Sequence, residues 1–276
     1  MTHHKEFTFT QHHTLFFGQL WQPKEPKAVV VLVHGFGEHS GRYADFVVPK
    51  LLAEDLAVVT YDNFGHGKTN GKRGHCPSYD ALMYVLGSVI HKAQDEHTGL
   101  PIFLYGHSMG GNLVLNYALR KDPKLAGIVA TSPYLRLAFK PPAWKMSLGK
   151  IMLNLLPSIT LPSGLDPAGI SRIPEEVTKY KQDTLVHDKV SPMFSFPIMD
   201  AGEWAIANAS ELLLPTLLLH GTGDKIIDHK ATVQFHEAAP KSELHLFEDG
   251  YHELHNDVEQ NKAMKTITTW ITSRLN

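Results

Sequence analysis

Several short runs in this chain are apolar at almost every position rather than at every second one. They are Ala28–Val33, Ala57–Tyr61, Ile102–Tyr105, Leu125–Thr131 and Leu217–Leu219. A strand with one face in water alternates; a strand covered on both faces does not. Their β-branched content favours strand over a short buried helix. Between them lie residues at helical spacing: Phe46, Val47, Leu51 and Leu52; then Leu82, Val85, Leu86, Val89, Ile90 and Ala93; then Leu113, Val114, Tyr117 and Ala118. Strand alternating with helix argues an α/β fold, a mostly parallel sheet with helices on both faces. Such a sheet gathers its functional groups at the carboxyl ends of its strands.

The pattern has a beginning, an interruption and an end. Residues 6–21 alternate weakly and predict a hairpin at a sheet edge. From Tyr134 to Ser210 the rhythm breaks, and eight of the 17 prolines fall between Pro141 and Pro197. We read residues 134–210 as an inserted cap, and 1–133 with 211–276 as the α/β core. The cap contains one apolar helix candidate, Ala143–Leu156, carrying Trp144, Leu148, Ile151, Met152, Leu155 and Leu156. Whether that stripe is buried or faces outward is left open by periodicity. Alternation resumes with the strand ending at His220, a helix around 231–239, the strand 243–247, and a last helix striped by Ala263, Ile267, Trp270 and Ile271.

Composition excludes several classes. At 276 residues the chain is long enough for one α/β domain with an insertion. Its formal charge is −2 and it has no basic block, so no nucleic-acid partner is expected. The single cysteine, Cys76, rules out an internal disulfide and a Cys-based metal site. The first residues lack the apolar core of a secretion signal, so a cytoplasmic protein is expected, with peripheral membrane contact as an option. Most of the 18 histidines must be bystanders. His252-Glu253-Leu254-His255 is one residue short of the zinc-binding H-E-x-x-H spacing. No dinucleotide fingerprint or phosphate loop follows a strand. Neither metal nor cofactor is expected, and oligomeric state is not legible.

The chemistry begins at Gly106-His107-Ser108-Met109-Gly110, a G-x-S-x-G lying between a buried strand and a helical pattern. A serine on so sharp a turn projects above the sheet at the positive end of the next helix. Its hydroxyl is a weak nucleophile until a base removes its proton, and the base needs an orienting acid. Two later strand ends supply them. Leu217-Leu218-Leu219-His220-Gly221-Thr222-Gly223-Asp224 carries Asp224 as the acid, with Asp228 as its alternative. Leu244 through His252 carries His252 as the base, with His255 as its alternative. The oxyanion of the tetrahedral intermediate needs donors already in place. The N–H of Met109 is one, and His34-Gly35-Phe36-Gly37 offers the N–H of Phe36 as the second.

These stretches together resemble the monoacylglycerol lipase family of α/β-hydrolases, also described as serine-aminopeptidase-like or lysophospholipase-like. The matching signatures are the segment from His34 to Tyr43 (H-G-F-G-E-H-S-G-R-Y), Gly65-His66-Gly67, Gly106–Gly111, His220–Asp224 and Tyr251–Asn256. The resemblance implies the α/β-hydrolase fold and ester hydrolysis through an acyl-enzyme. It implies that Glu38, Arg42 and His255 surround the glycerol of a monoglyceride, and that Tyr180 of the cap lies near the glycerol exit. The chain departs from mammalian relatives at Phe36, where they carry a small residue, and at Thr69.

The expected function is therefore hydrolysis of monoacylglycerol to fatty acid and glycerol, through Ser108, His252 and Asp224. A lysophospholipase or short-chain carboxylesterase is the enzymatic rival. A non-catalytic binding protein of the same fold is the rival of another class. The substrate would be a lipid ester, with transient contact between the cap and a membrane or micelle.

Overall fold

Continuously apolar strands need cover on both faces, and the structure supplies it. A computed structural model describes residues 2–121 and 123–275. The chain opens with a hairpin, β1 (His3–Gln11) and β2 (Thr14–Gln22), turned by His12 and His13 at φ 46° and 57°. Positive φ at both turn residues gives the twist that a two-residue hairpin requires. There follow β3 (Ala28–Val33), α1 (Val47–Leu52), β4 (Leu56–Tyr61), α2 (Tyr79–Glu96), β5 (Ile102–His107), α3 (Met109–Lys121) and β6 (Gly127–Thr131). The inserted stretch holds α4 (Ala143–Leu155), β7 (Leu161–Pro162), α5 (Pro174–Gln182), β8 (Lys189–Val190) and α6 (Pro192–Ala207). β9 (Thr216–Gly221), α7 (His229–Ala238), β10 (Ser242–Phe247) and α8 (Gln260–Thr272) complete the chain.

The main sheet has eight strands in the order β1-β2-β4-β3-β5-β6-β9-β10. Strands β4 to β10 in that order run parallel, and the β1–β2 hairpin joins antiparallel at one edge. Successive residues of β3 go to opposite cores: Val29, Val31 and Val33 to one, Ala28, Val30 and Leu32 to the other. The first core also holds side chains of α2, α3, α6 and α7; the second holds those of α1 and α8. Both faces of β3 are dry, which is why its run lacks a polar position.

The expected cap, 134–210, is divided by the structure. Its last helix, α6, buries Phe194, Ile198, Ala201 and Ala205 in the first core and packs on α3 and α7. The part standing over the strand ends is therefore the segment before α6. That segment is stitched down by backbone hydrogen bonds: His187 N–H to Gly37 O at 2.8 Å, Ser191 N–H to Gly74 O at 2.8 Å, and Glu253 N–H to Ile170 O at 2.8 Å. Arg172 adds ion pairs to Asp257 and Glu259. Its short β7–β8 ladder is separate from the main sheet.

The turn from β5 into α3 leaves no spare room. A Cβ at Gly106 would stand 2.2 Å from Gly110 O, and one at Gly110 would stand 2.0 Å from Val33 O. Backbone cannot retreat as a flexible side chain can. Gly106→Ala should therefore cost about 2–4 kcal/mol, read as a fall in the midpoint of thermal unfolding; a midpoint equal to wild type would contradict this packing.

Candidate functional site

Ser108 is held in left-handed backbone, φ 51°, between β5 and α3. A non-glycine residue reaches that region only where its surroundings force it. Here the Ser108 N–H donates to Thr131 O at 2.9 Å, and its carbonyl accepts from Asn112 and Tyr134 N–H at 3.0 and 2.9 Å. The side chain is left over a cavity of about 370 Å³. His252 lines the same cavity from the loop after β10. The Ser132 hydroxyl donates to His252 O at 2.7 Å and fixes that loop.

Asp224, after β9, receives the His252 Nδ1–H on Oδ2 at 2.7 Å. Its Oδ1 accepts the N–H groups of Ile226 and Ile227 at 2.8 and 3.0 Å. Burial works against its charge, but His252 and His220 prevail and hold the carboxyl well below the usual carboxylate range. Burial likewise opposes charging His252, and the facing Asp224 carboxylate outweighs it, raising the imidazole above its ordinary value. A carboxylate only accepts, so Nδ1 of His252 bears the hydrogen and Nε2 is left for the cavity side. The alternatives lie elsewhere. Asp228 caps α7 by accepting Lys230 N–H at 3.0 Å. His255 stacks on Tyr43 at 4.9 Å and meets His107 edge-on at 4.8 Å.

The loop after β3 lies directly on the serine. A Cβ at Gly35 would be 3.3 Å from the Ser108 Cβ, so only glycine leaves that approach free. Two contacts pin its peptides. Gly35 N–H donates to Glu38 Oε1 at 2.6 Å. Nε2 of His34 accepts Asn63 N–H at 2.9 Å, which leaves Nδ1 to donate to Gly35 O at 2.6 Å. In a trans peptide the Gly35 carbonyl and the Phe36 N–H point opposite ways. Anchoring the carbonyl on His34 therefore turns the Phe36 N–H away from it. Among the described residues neither that N–H nor the one of Met109 has a protein acceptor.

Of the residues expected around a polar head, Glu38 and Tyr180 line the cavity; Arg42 and His255 do not. The reason is Glu253. Its carboxylate takes the Arg42 guanidinium on two oxygens, at 2.6 and 2.7 Å, and Glu38 Oε2 takes it at 2.6 Å. Arg42 also lies over the Tyr180 ring, 4.7 Å from its centroid. The guanidinium is thus held as a strut between the loop after β3, the His252 loop and α5. Burial alone would raise the Glu253 carboxyl, but Arg42 brings it down to about 2. In the sequence, Glu253, His34 and His220 stand inside motifs with no evident role of their own. Their signal was placement at strand ends, which many bystander residues share. The rest of the cavity is mostly apolar, walled by Phe139, Leu165, Ile170, Val190, Phe194, Ile198, Met199 and Ile226, with Lys145 and Met146 of α4 above.

A family model described as serine aminopeptidase, S33, matches residues 24–259. The chain belongs to this family of α/β-hydrolases. Within it, the monoglyceride lipase of Rattus norvegicus is 31% identical over 267 residues, covering 94% of this chain and 87% of that protein. The monoacylglycerol lipase of Mycolicibacterium smegmatis is 31% identical over 260 residues, covering 93% and 92%. The crystal structure of Paleococcus ferrophilus monoacylglycerol lipase superposes with a TM-score of 0.85 at 33% identity, over 99% of each chain. A Dictyostelium discoideum abhydrolase domain-containing protein is 38% identical over 260 residues, but this chain spans only 27% of its length.

The buried Glu253–Arg42 pair sets a pH-dependent stability. With Glu253 brought from an ordinary 4.5 to about 2, the pair's contribution is complete above pH 4.5 and is lost as pH falls toward 2. Arg42→Met should cost about 3–5 kcal/mol at neutral pH by leaving charge unpaired. Denaturant unfolding should show the gap to wild type narrowing at pH 4; a gap constant from pH 7 to 4 would remove the charge argument.

Proposed function

We propose that this enzyme hydrolyses the ester of a monoacylglycerol, with Ser108 as nucleophile, His252 as base and Asp224 as orienting acid. The observation that carries the reading is the 2.7 Å Asp224–His252 bond at the polar end of an apolar cavity that Ser108 also lines. The family relationship supports the same substrate class, since the Mycolicibacterium smegmatis and Rattus norvegicus relatives, covered over most of their length, are a monoacylglycerol lipase and a monoglyceride lipase.

In this mechanism the acyl chain lies among the apolar walls and the glycerol sits toward Glu38 and Tyr180. The Ser108 oxygen attacks the ester carbonyl as Nε2 of His252 takes its proton. Carbonyl π electrons move to oxygen, and that oxyanion accepts the N–H groups of Phe36 and Met109. The C–O bond to glycerol breaks, and the His252 proton goes to the leaving alkoxide. Water then gives a proton to His252, adds to the acyl carbon, and the fatty acid leaves as Ser108 recovers its hydrogen. Asp224 offsets the imidazolium charge in both halves.

Ser108→Ala should lower monoolein hydrolysis by about 10³-fold or more and abolish labelling by a fluorophosphonate. Wild type should prefer monoolein to lysophosphatidylcholine and to a short p-nitrophenyl ester. Full labelling in Ser108→Ala would exclude Ser108 as nucleophile, and a preference for either other ester would move the substrate assignment.

Substrate of this kind resides in lipid aggregates, and we assign the cap helix α4 as the surface that meets them. None of its residues is buried; Trp144, Ile151 and Leu155 are 65%, 54% and 71% exposed on its outer side. Isolated exposed apolar residues are ordinary, but a stripe along one helix marks an interaction face. No helix among the described residues is long and apolar enough to cross a membrane. Leu148→Glu with Ile151→Glu should reduce turnover of micellar monoolein several-fold while sparing a soluble ester. Equal loss on both substrates would argue against docking through α4.

A further inference from the structure

Asp224 carries more than the histidine expected of it. A carboxylate has about four lone-pair sites, and here each oxygen accepts two donors. Oδ1 takes the backbone N–H groups of Ile226 and Ile227. Oδ2 takes His252 Nδ1 at 2.7 Å and, from the end of β9, His220 Nε2 at 3.1 Å. Because a carboxylate oxygen only accepts, Nε2 of His220 bears a hydrogen. On its far side, Nδ1 of His220 meets the Thr232 hydroxyl of α7 at 2.8 Å. His220 and Thr232 are both wholly buried. A buried imidazole is costly unless its nitrogens are bonded, and the fold provides a second buried polar residue to complete this one.

We propose that His220 is a positioning residue that sets the basicity of His252 through their shared acceptor oxygen. It holds Oδ2 in place and stabilises the Asp224 charge, so that less of that charge is offered to the imidazolium forming on His252. The inference rests on the assignment of Ser108, His252 and Asp224 above. Other ionisable groups face the pair. His229 lies on the His220 side, 6.3 Å between ring centroids; Glu38, Glu253, His107 and His255 lie on the His252 side. None of them donates to Asp224, so removing His220 isolates one donor.

The sign follows. With one donor fewer on Oδ2, Asp224 interacts more strongly with His252, whose pKa rises. Catalysis needs neutral His252, so the acid limb of kcat/KM moves to higher pH. For a soluble ester, His220→Phe should shift that limb upward by roughly half to one unit. His220→Gln, whose amide restores a donor near the Nε2 position, should keep the wild-type limb. Thr232→Val should shift the limb in the same direction by less, because an imidazole that accepts no hydrogen bond donates more weakly. An unmoved or lowered limb in folded His220→Phe overturns the proposal, even where thermal stability falls; if that variant does not fold, an unmoved limb in Thr232→Val does so. Asp224→Asn is run beside them. Wild-type turnover in Asp224→Asn would sink the underlying assignment, whereas its loss with an unmoved His220→Phe limb sinks only the role of His220.

Discussion

One backbone-on-backbone contact governs the rest of this molecule. The β5–α3 turn is so tight that Gly106, against Gly110, and Gly110, against Val33 at the end of β3, have no room for a single methyl group. That closeness holds Ser108 at φ 51°, a conformation an isolated serine would leave. The same contact brings Gly35 onto the serine, so Ser108 and the loop after β3 are placed by one packing event. A looser turn would relax the serine and separate it from its donors together.

Charge at the site is handled by full occupancy rather than by solvent. Asp224 accepts four hydrogen bonds, and the Glu38–Arg42–Glu253 cluster binds its own guanidinium on three carboxylate oxygens. A buried carboxylate missing one partner bears a desolvation penalty that water would otherwise relieve. Saturated groups have one stable geometry, which suits a site where an N–H must be aimed before charge develops. The inserted segment takes part through Tyr180 over Arg42 and through His187 on Gly37, so the roof of the cavity and the loop after β3 are mechanically joined.

How much of this was legible in sequence varied with the kind of constraint. Runs such as Ala28–Val33 announced strands covered on both faces, because burial leaves no polar position in them. Ser108, Asp224 and His252 stood out because each follows its own strand. Arg42 and His255 were expected around the glycerol; the structure pairs Arg42 with Glu38 and Glu253 and stacks His255 on Tyr43. Nothing along the chain reveals that Glu253, next to the base, would capture the guanidinium, since that ion pair joins residues 211 positions apart. The end of the cap was also misjudged: α6 follows a proline-rich stretch, yet its apolar side completes the core against α3.

By itself, then, the sequence determined the layered α/β architecture, the strand ends that carry the chemistry, and the types of group found there. Those features depend on local periodicity and on turns that few residues can make. Tertiary structure alone decided which polar groups share an acceptor, which way Arg42 faces, and that the apolar stripe of α4 points outward. Pairing among buried polar groups depends on which distant segments meet and on how many lone pairs each acceptor has left, and neither is written in the neighbourhood of any one residue.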